Sequence, residues 1–373
     1  MPGPVTLDDV AARAGVSRWT VAAAMRGRGR VNAETAKRLK QLAAEMGYDP
    51  VLTQAGHNLA EARHGRRARH NLVALALPGA AIDLPFYAQM LCGALLTLAE
   101  GGSAPVITDL WRVMWDEHEL GRGQRFGTAL LRGHVDAAII HPYDQEAVTR
   151  LMEGWRQGRF GDRPVVTLLR RMPGLPCVGV DDRAAVIAAA RHLLSLGHRE
   201  VGCLLWDVDA GDLAERLRSR LGPAGFDTSV PLPTHPIPME WMSPRRAPHR
   251  PGEVTAATPQ PETEAALVGW LRANPRITAL FVPNDAGALY VIAALRRAGL
   301  RVPEDLSLIG ADATDDYADG GATRFLATIR PDLVGVGAAA ARLALAMVAG
   351  EPGADVAIAS EFLPGRSLGP ARS

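Results

Sequence analysis

Apolar residues recur at helical spacing three times within the first 50 positions. Leu7, Val10, Ala11 and Ala14 form a stripe that opens at Thr6, a good N-cap with Asp9 three residues on, and closes at Gly15. Ser17 caps a second segment in which Val21 and Ala24 face inward, and the basic run Arg26-Gly27-Arg28-Gly29-Arg30 ends it. Asn32 caps a third, whose stripe of Ala36, Leu39, Leu42, Ala43 and Met46 stops at Gly47, with Pro50 beyond. The pattern predicts three short helices over residues 1–50.

Residues 51–70 carry no clear apolar face and read as a linker, with helix as an option over Thr53–Arg63. From residue 71 the pattern changes. Short apolar runs, LVALAL (72–77), APVITDL (104–110), VDAAII (135–140), PVVTLL (164–169), VGCLLW (201–206), TALFV (278–282) and LSLIG (306–310), alternate with amphipathic helical segments. Those segments are Phe86–Glu100, Arg183–Leu196, Glu262–Arg272, Gly287–Ala298 and Leu333–Ala349. Such alternation is the signature of parallel α/β sheets, and roughly 300 residues of it exceed one usual sheet layer. Two subdomains with a crevice between them are expected. The Pro-rich stretch 222–261 reads as an irregular loop or insertion.

Charge divides the chain where periodicity does. Residues 1–70 hold twelve Arg/Lys and six Asp/Glu, whereas the rest is net −5 although the whole is +1. A basic module therefore precedes an acidic body. Cys92, Cys177 and Cys203 have no metal-ligand or paired spacing, which fits a reduced cytoplasmic setting without a disulfide framework or zinc site. The N-terminus lacks a signal-peptide pattern and no apolar run approaches the roughly 20 residues that span a bilayer. Neither secretion nor a membrane role is expected.

The strongest chemical signal is the first helix pair. A helix, a turn at Ala14-Gly15-Val16 and a second helix capped by Ser17 make a helix-turn-helix, whose second helix enters the major groove with its N-terminal side chains at the base edges. Arg18 can donate twice to guanine, and Trp19 can contact a thymine methyl or pack on its own helical core. The hydroxyls of Thr6, Ser17 and Thr20 suit both capping and phosphate contact.

These residues carry a family resemblance. VTLDDVAARAGVS followed by TV, the third helix and Gly47-Tyr48 resembles the DNA-binding head of the lac-repressor family of bacterial regulators. The body segments VDDRAAVIAAARHLLSLGHREVGCL, ITALFVPNDAGALYVIAALRRAGLRVPEDLSLIGAD and LATIRPDLVGVGAAAARLAL are similar to its effector-binding core. The resemblance implies a head over 1–50, a linker or hinge over 51–70, and a periplasmic-binding-protein-like effector and dimerisation domain over 71–373. That domain would comprise two doubly wound parallel-sheet subdomains, one of about 71–175 plus 311–330 and one of about 176–310 plus 331–366. It further implies a homodimer on a pseudo-palindromic double-stranded DNA operator, with a small effector such as a sugar or sugar derivative.

Carried over by position, Arg18, Trp19 and Ala23 fall where the family reads bases, and Thr6, Ser17 and Thr20 where it holds phosphates. The family's usual Ser-Arg pair is Ala22-Ala23 here, and its usual Asn near the helix end is Arg26, so the operator sequence does not transfer. His57 stands near the family's minor-groove wedge position and Leu59 two residues later; a wedging Leu59 and a merely connecting linker with phosphate-binding Arg63, Arg66, Arg67 and Arg69 are equally acceptable.

In the body, Asp285 of the Asn284-Asp285 pair suits ligand hydroxyls, the alternative being a helix cap. Arg216 matches the family's effector-contacting arginine. Phe86 and Tyr87 could stack on a sugar face or serve as core aromatics. Asp181 and His198 read as structural. No catalytic, metal or cofactor motif is found. The resulting expectation is a ligand-responsive regulator and not an enzyme, the alternatives being a solute-binding protein or an enzyme of carbohydrate metabolism on the same scaffold.

Overall fold

The computed structural model describes residues 5–26, 31–48, 70–77, 84–109, 135–142, 149, 152–153, 163–206, 210–238, 261–314 and 325–372. The chain divides into two compact units, Met1–Leu72 with His134–Asp136, and Val73–Gly133 with Ala137–Ser373.

In the first unit, α1 (Leu7–Ala14), α2 (Arg18–Arg26) and α3 (Ala33–Glu45) pack around Val10, Ala11, Val21, Ala24, Leu39 and Ala43, all buried. The caps are local chemistry. Thr6 and Asp9 form a reciprocal capping box, Gly15 ends α1 at φ 66°, and Asn32 accepts from the Thr35 amide at 2.7 Å.

In the second unit the elements run β1 (Leu72–Leu77), α4 (Pro85–Glu100), β2 (Ala104–Asp109), β3 (Ala137–Ile140), β4 (Val165–Leu168), β5 (Cys177–Asp181), α5 (Arg183–Ser195), β6 (Val201–Trp206) and α6 (Ala210–Ala224). They continue with β7 (Thr234–Ile237), α7 (Pro261–Ala273), β8 (Ala279–Phe281), α8 (Asp285–Arg297), β9 (Ser307–Ala311), β10 (Ala327–Pro331), α9 (Leu333–Val348) and β11 (Val356–Leu363). The strand order is β2-β1-β3-β4-β5-β11-β10-β9-β8-β6-β7.

Separate cores divide this sheet into halves. In the first half, α4 and α9 cross over β1, β3, β4 and β5, burying Met90, Ala94, Leu98, Val336, Ala340 and Ala344 against Val73, Ile139 and Val166. The crossing is close enough that a Cβ on Gly93 or Gly337 would collide with the opposing backbone carbonyl. The second half is wound on both faces. Val201, Cys203 and Leu205 of β6 face α5 and α6, while Leu204 faces α7 and α8, the period-2 alternation of a sheet covered twice.

Three segments lie in the half opposite to that expected from the sequence. β5 pairs in parallel with β4 and its Val178 joins the first core, β10 hydrogen-bonds in parallel to β9 and so belongs to the second half, and α9 packs on α4 in the first. The chain changes halves at Asp181–Arg183 and again at Pro331–Leu333, wherever a strand's hydrogen-bond partners and the next helix's core are different. The Pro-rich stretch contributes β7, an edge strand in which Pro236 is tolerated because only one side is paired. The proposed hinge residues Leu59 and Arg63, and residues 239–260, lie outside the described residues.

β11 joins the halves. Val356–Ala359 runs parallel to β5 and Ser360–Leu363 antiparallel to β10, with Asp181 opposite Ala359 and Pro331 opposite Ser360. Both strands therefore end at the middle of β11. Because β1, β3 and β4 are parallel to β5, and β6, β8 and β9 to β10, the carboxyl ends of both strand sets converge on one level. That level is where parallel α/β sheets place ligands.

Candidate DNA-reading surface and effector crevice

At the start of α2 the Ser17 hydroxyl accepts from the Thr20 amide at 3.2 Å and lies 2.9 Å from the Thr20 hydroxyl. This cap turns the next two side chains outward. Trp19 is 81% exposed, so it does not pack on the helical core, and Arg18 is also exposed, its Nε 3.7 Å from an Asp8 oxygen. Val21, Ala22 and Ala24 are buried and Ala23 is half-buried. Arg26 is the last residue of α2. An indole and a guanidinium side by side at a helix N-terminus can offer apolar contact and hydrogen-bond donors to base edges. Thr6 is engaged with Asp9: its amide and hydroxyl each donate to the carboxylate at 2.7 Å.

In the second unit the acid expected to meet ligand is placed otherwise. Asp285 has 0% exposure; its Oδ1 accepts from the Thr328 hydroxyl and its Oδ2 from the Thr314 amide, each at 2.8 Å. A Cβ on Gly310 would strike this carboxylate, so the glycine makes room for it. Asp285 therefore ties α8 to β10 and to the turn after β9, and its oxygens are committed. The N-cap of α8 is Asn284, whose Oδ1 accepts from the Gly287 amide at 2.8 Å.

The acid presented at the strand ends is Asp312, just beyond β9. It is half-buried at φ 91°, a left-handed conformation that Asp tolerates better than most residues. Its amide donates to the Ile329 carbonyl at 2.9 Å. Burial pushes its carboxyl up to about 7. Cys203, Phe281 and Ile309 stand side by side on β6, β8 and β9, and Trp206, Asn284 and Asp312 each follow three residues later, at or just past the carboxyl ends of these strands.

On the opposing strand ends His141 follows β3. It is buried, and its Nδ1 has no hydrogen-bond partner. Burial, reinforced by the Arg170 cation, pushes the imidazole down to about 3, so the ring is neutral at physiological pH. Tyr87 lies 5.4 Å from it, centroid to centroid, and 5.2 Å from Phe86 in an edge-to-face pair. Tyr87 is a member of the first core and Phe86 packs against that core, so both are structural aromatics that carry His141.

Arg216 is exposed on α6. Its neighbours are engaged elsewhere: Arg218 donates to the Thr228 carbonyl at 2.9 Å, and Arg220 pairs at 2.5 Å with Asp182, where the chain changes halves. His198 bridges Thr278 at 2.8 Å and the Gly369 carbonyl at 3.0 Å, a structural clamp on the C-terminal segment. Asp312, His141 and Trp206 are not singled out by sequence reasoning. The available signal was positional, a polar or aromatic residue closing each apolar run: IIH, LLW and LIGAD.

Comparison with known proteins agrees with this geometry. Residues 6–51 match the model of bacterial regulatory proteins of the lacI family, and residues 190–367 match a periplasmic binding protein-like domain. The chain is 27% identical over 315 residues to the HTH-type transcriptional regulator DegA of Bacillus subtilis, covering 83% of this chain and 82% of that protein. Its fold is similar to a lac repressor dimer bound to operator and the anti-inducer ONPF, with TM-score 0.62, 20% identity and coverage of 98% and 99% of the two chains. It is also similar to a transcriptional regulator CelR–cellobiose complex, with TM-score 0.58, 23% identity and coverage of 97% and 99%. With a capped helix-turn-helix ahead of converging parallel strands, the chain carries a DNA-binding domain of the lacI family of bacterial regulatory proteins followed by a periplasmic binding protein-like domain.

Proposed function

We propose that this protein is a ligand-responsive transcriptional regulator, a repressor acting on carbohydrate-related genes, which binds a two-fold related operator as a homodimer. It is a regulator and not an enzyme. The observation that carries the reading is the outward pair Arg18 and Trp19 on a capped second helix, because exposing an indole is unfavourable unless a partner covers it. Arg18 reads guanine, Trp19 a thymine methyl, and Thr6, Ser17 and Thr20 hold phosphates. One head contacts too few bases for useful specificity, which favours a pair of heads on paired half-sites.

In the body a small polyhydroxylated ligand sits between the strand ends, with Asp312 and Asn284 in the role first expected of Asp285. The ligand changes DNA affinity by as much as it discriminates between two arrangements of the halves. A sugar ligand is supported by the cellobiose in the CelR complex and by the unpartnered Nδ1 of His141 at the strand ends. The test is selection from random duplexes followed by titration. Two-fold related half-sites, bound with steep salt dependence, are expected; a selection that returns single, unpaired sites would overturn the dimeric reading.

A further inference from the structure

The chain enters β1 through a clamped turn to which the regulator's function as read above gives no role. His70 and Asn71 directly precede the strand, and the backbone amides of both converge on one carboxylate. The His70 amide lies 3.0 Å from each oxygen of Asp136, and the Asn71 amide donates to its Oδ2 at 2.6 Å. Two successive amides that meet in this way form a concavity for an anion, and here the anion belongs to the chain itself. Asn71 makes the turn at φ 54°, a left-handed conformation that Asn tolerates better than most residues. The Asp136 amide holds the turn from its other side by donating to the Leu72 carbonyl at 2.8 Å. At 6% exposure the residue is shielded from water, which strengthens these charge-assisted bonds. The tie is no local cap, since 66 residues separate His70 from Asp136. Leu72 and Asp136 lie in the same compact unit as the head, and the residues that follow them, Val73 and Ala137, are opposed in the β1–β3 ladder.

We propose that Asp136 is a positioning residue for operator binding: by pinning the chain at His70 it fixes the length of chain that each DNA-reading head has at its disposal, and with it the half-site spacing that a pair of heads accepts. The inference rests on the reading of the protein as a homodimer on two-fold related half-sites. Without the carboxylate the chain is held only from Leu72 onward, by the Asp136 amide and by the ladder that sets Val73 opposite Ala137. Releasing His70 and Asn71 adds two residues of reach, about 7 Å for each head and about 14 Å for the pair at roughly 3.5 Å per extended residue. Two base pairs inserted between the half-sites move them apart by about 7 Å, at roughly 3.4 Å each, so the released slack exceeds the insertion. The same insertion rotates one half-site by about 70° relative to the other, at roughly 10 base pairs per turn, and a freed turn can follow that rotation where a clamped one resists it. Arg18 and Trp19 lie on α2, apart from this turn in sequence, so binding to a single half-site does not depend on the clamp.

The experiment is titration of the full chain, by fluorescence anisotropy at fixed salt, with the duplex that the wild type selects from random sequence, with the same duplex lengthened at its centre by two base pairs, and with a single half-site. Wild type is compared with Asp136→Ala and Asn71→Val. The wild type should lose about a hundredfold on the lengthened duplex, the scale of avidity that is forfeited when two linked sites cannot be engaged together. Asp136→Ala should lose about tenfold or less, with half-site affinity equal to that of the wild type. Asn71→Val loosens the same turn from its other partner, because a β-branched residue resists the left-handed conformation, and should relax the spacing in the same way; it keeps the test decisive if Asp136→Ala fails to fold. Wild-type discrimination retained in either folded variant, or a loss that is the same on all three duplexes, overturns the proposal and leaves Asp136 a structural tie, while the dimeric reading stands. A selection from which the wild type returns no two-fold related half-sites defeats the dimeric reading and this inference with it.

Discussion

The head and the effector crevice present their chemistry in opposite ways. The head pushes an indole and a guanidinium into water from a rigid, capped helix start, whereas the body keeps a carboxylate and an imidazole half-buried or buried at the ends of strands. The difference suits the partners proposed for them: a DNA duplex is large and stiff, so side chains that read it project, whereas a small ligand is stripped of water, so side chains that hold it are recessed. Within the body the same contrast recurs on a smaller scale between two acids on adjacent elements. Asp285 is buried and fully used, and Asp312 is half-buried and available.

Four substitutions sharpen these contrasts. The largest effect is expected from Asp285→Ala, which leaves the Thr328 hydroxyl and Thr314 amide without their acceptor and should cost about 3 kcal/mol of stability, at roughly 1–3 kcal/mol per orphaned buried group. Urea unfolding measures it, and a loss below that of an ordinary surface change would show that the two acids do not differ as described. Next, Arg18→Ala should weaken the preferred duplex by about 1–3 kcal/mol and relax base choice at one position. Equal loss on preferred and random duplexes would reassign Arg18 to phosphate contact.

Asp312→Asn tests the other acid through pH. Its carboxyl is raised to about 7 by burial, so the folded state holds the proton more tightly than the unfolded chain and loses that advantage as pH rises from about 4 to 7. The variant's stability relative to wild type should therefore improve over that interval and level off above it. A difference independent of pH would mean that the carboxylate is well solvated. The smallest effect is expected from Ser17→Ala, about 1 kcal/mol of stability from the lost cap, with all duplexes weakened alike.

The contrast between the regions also explains what could be read from the sequence. The head is local: the Thr6–Asp9 box, Gly15, Ser17 and Asn32 are neighbours along the chain of what they cap, so stripe and punctuation suffice. Several body strands escape because they lack an apolar run. β10 is ATIRP, β7 is THPI, and β11 alternates half-buried and exposed residues while serving two sheet halves at once. These strands exist through partners distant in sequence. Which of two acids is left available at the strand ends was similarly illegible. It depends on Gly310 leaving room for the Asp285 carboxylate and on the left-handed turn at Asp312, neither of which is a matter of composition or period. Trp19 shows the converse case, in which the sequence leaves packing and exposure both open and the helix register settles it.

The central claim is that the recessed site governs the projecting one. The most direct measurement is the affinity of the protein for its selected duplex, by fluorescence anisotropy at fixed salt, with and without a saturating pyranose identified by calorimetry. The account predicts a shift of about 5- to 150-fold, the range of coupling energies usual between linked sites, and its disappearance in Asp312→Asn. A pyranose that binds at saturation and leaves duplex affinity unchanged would contradict it.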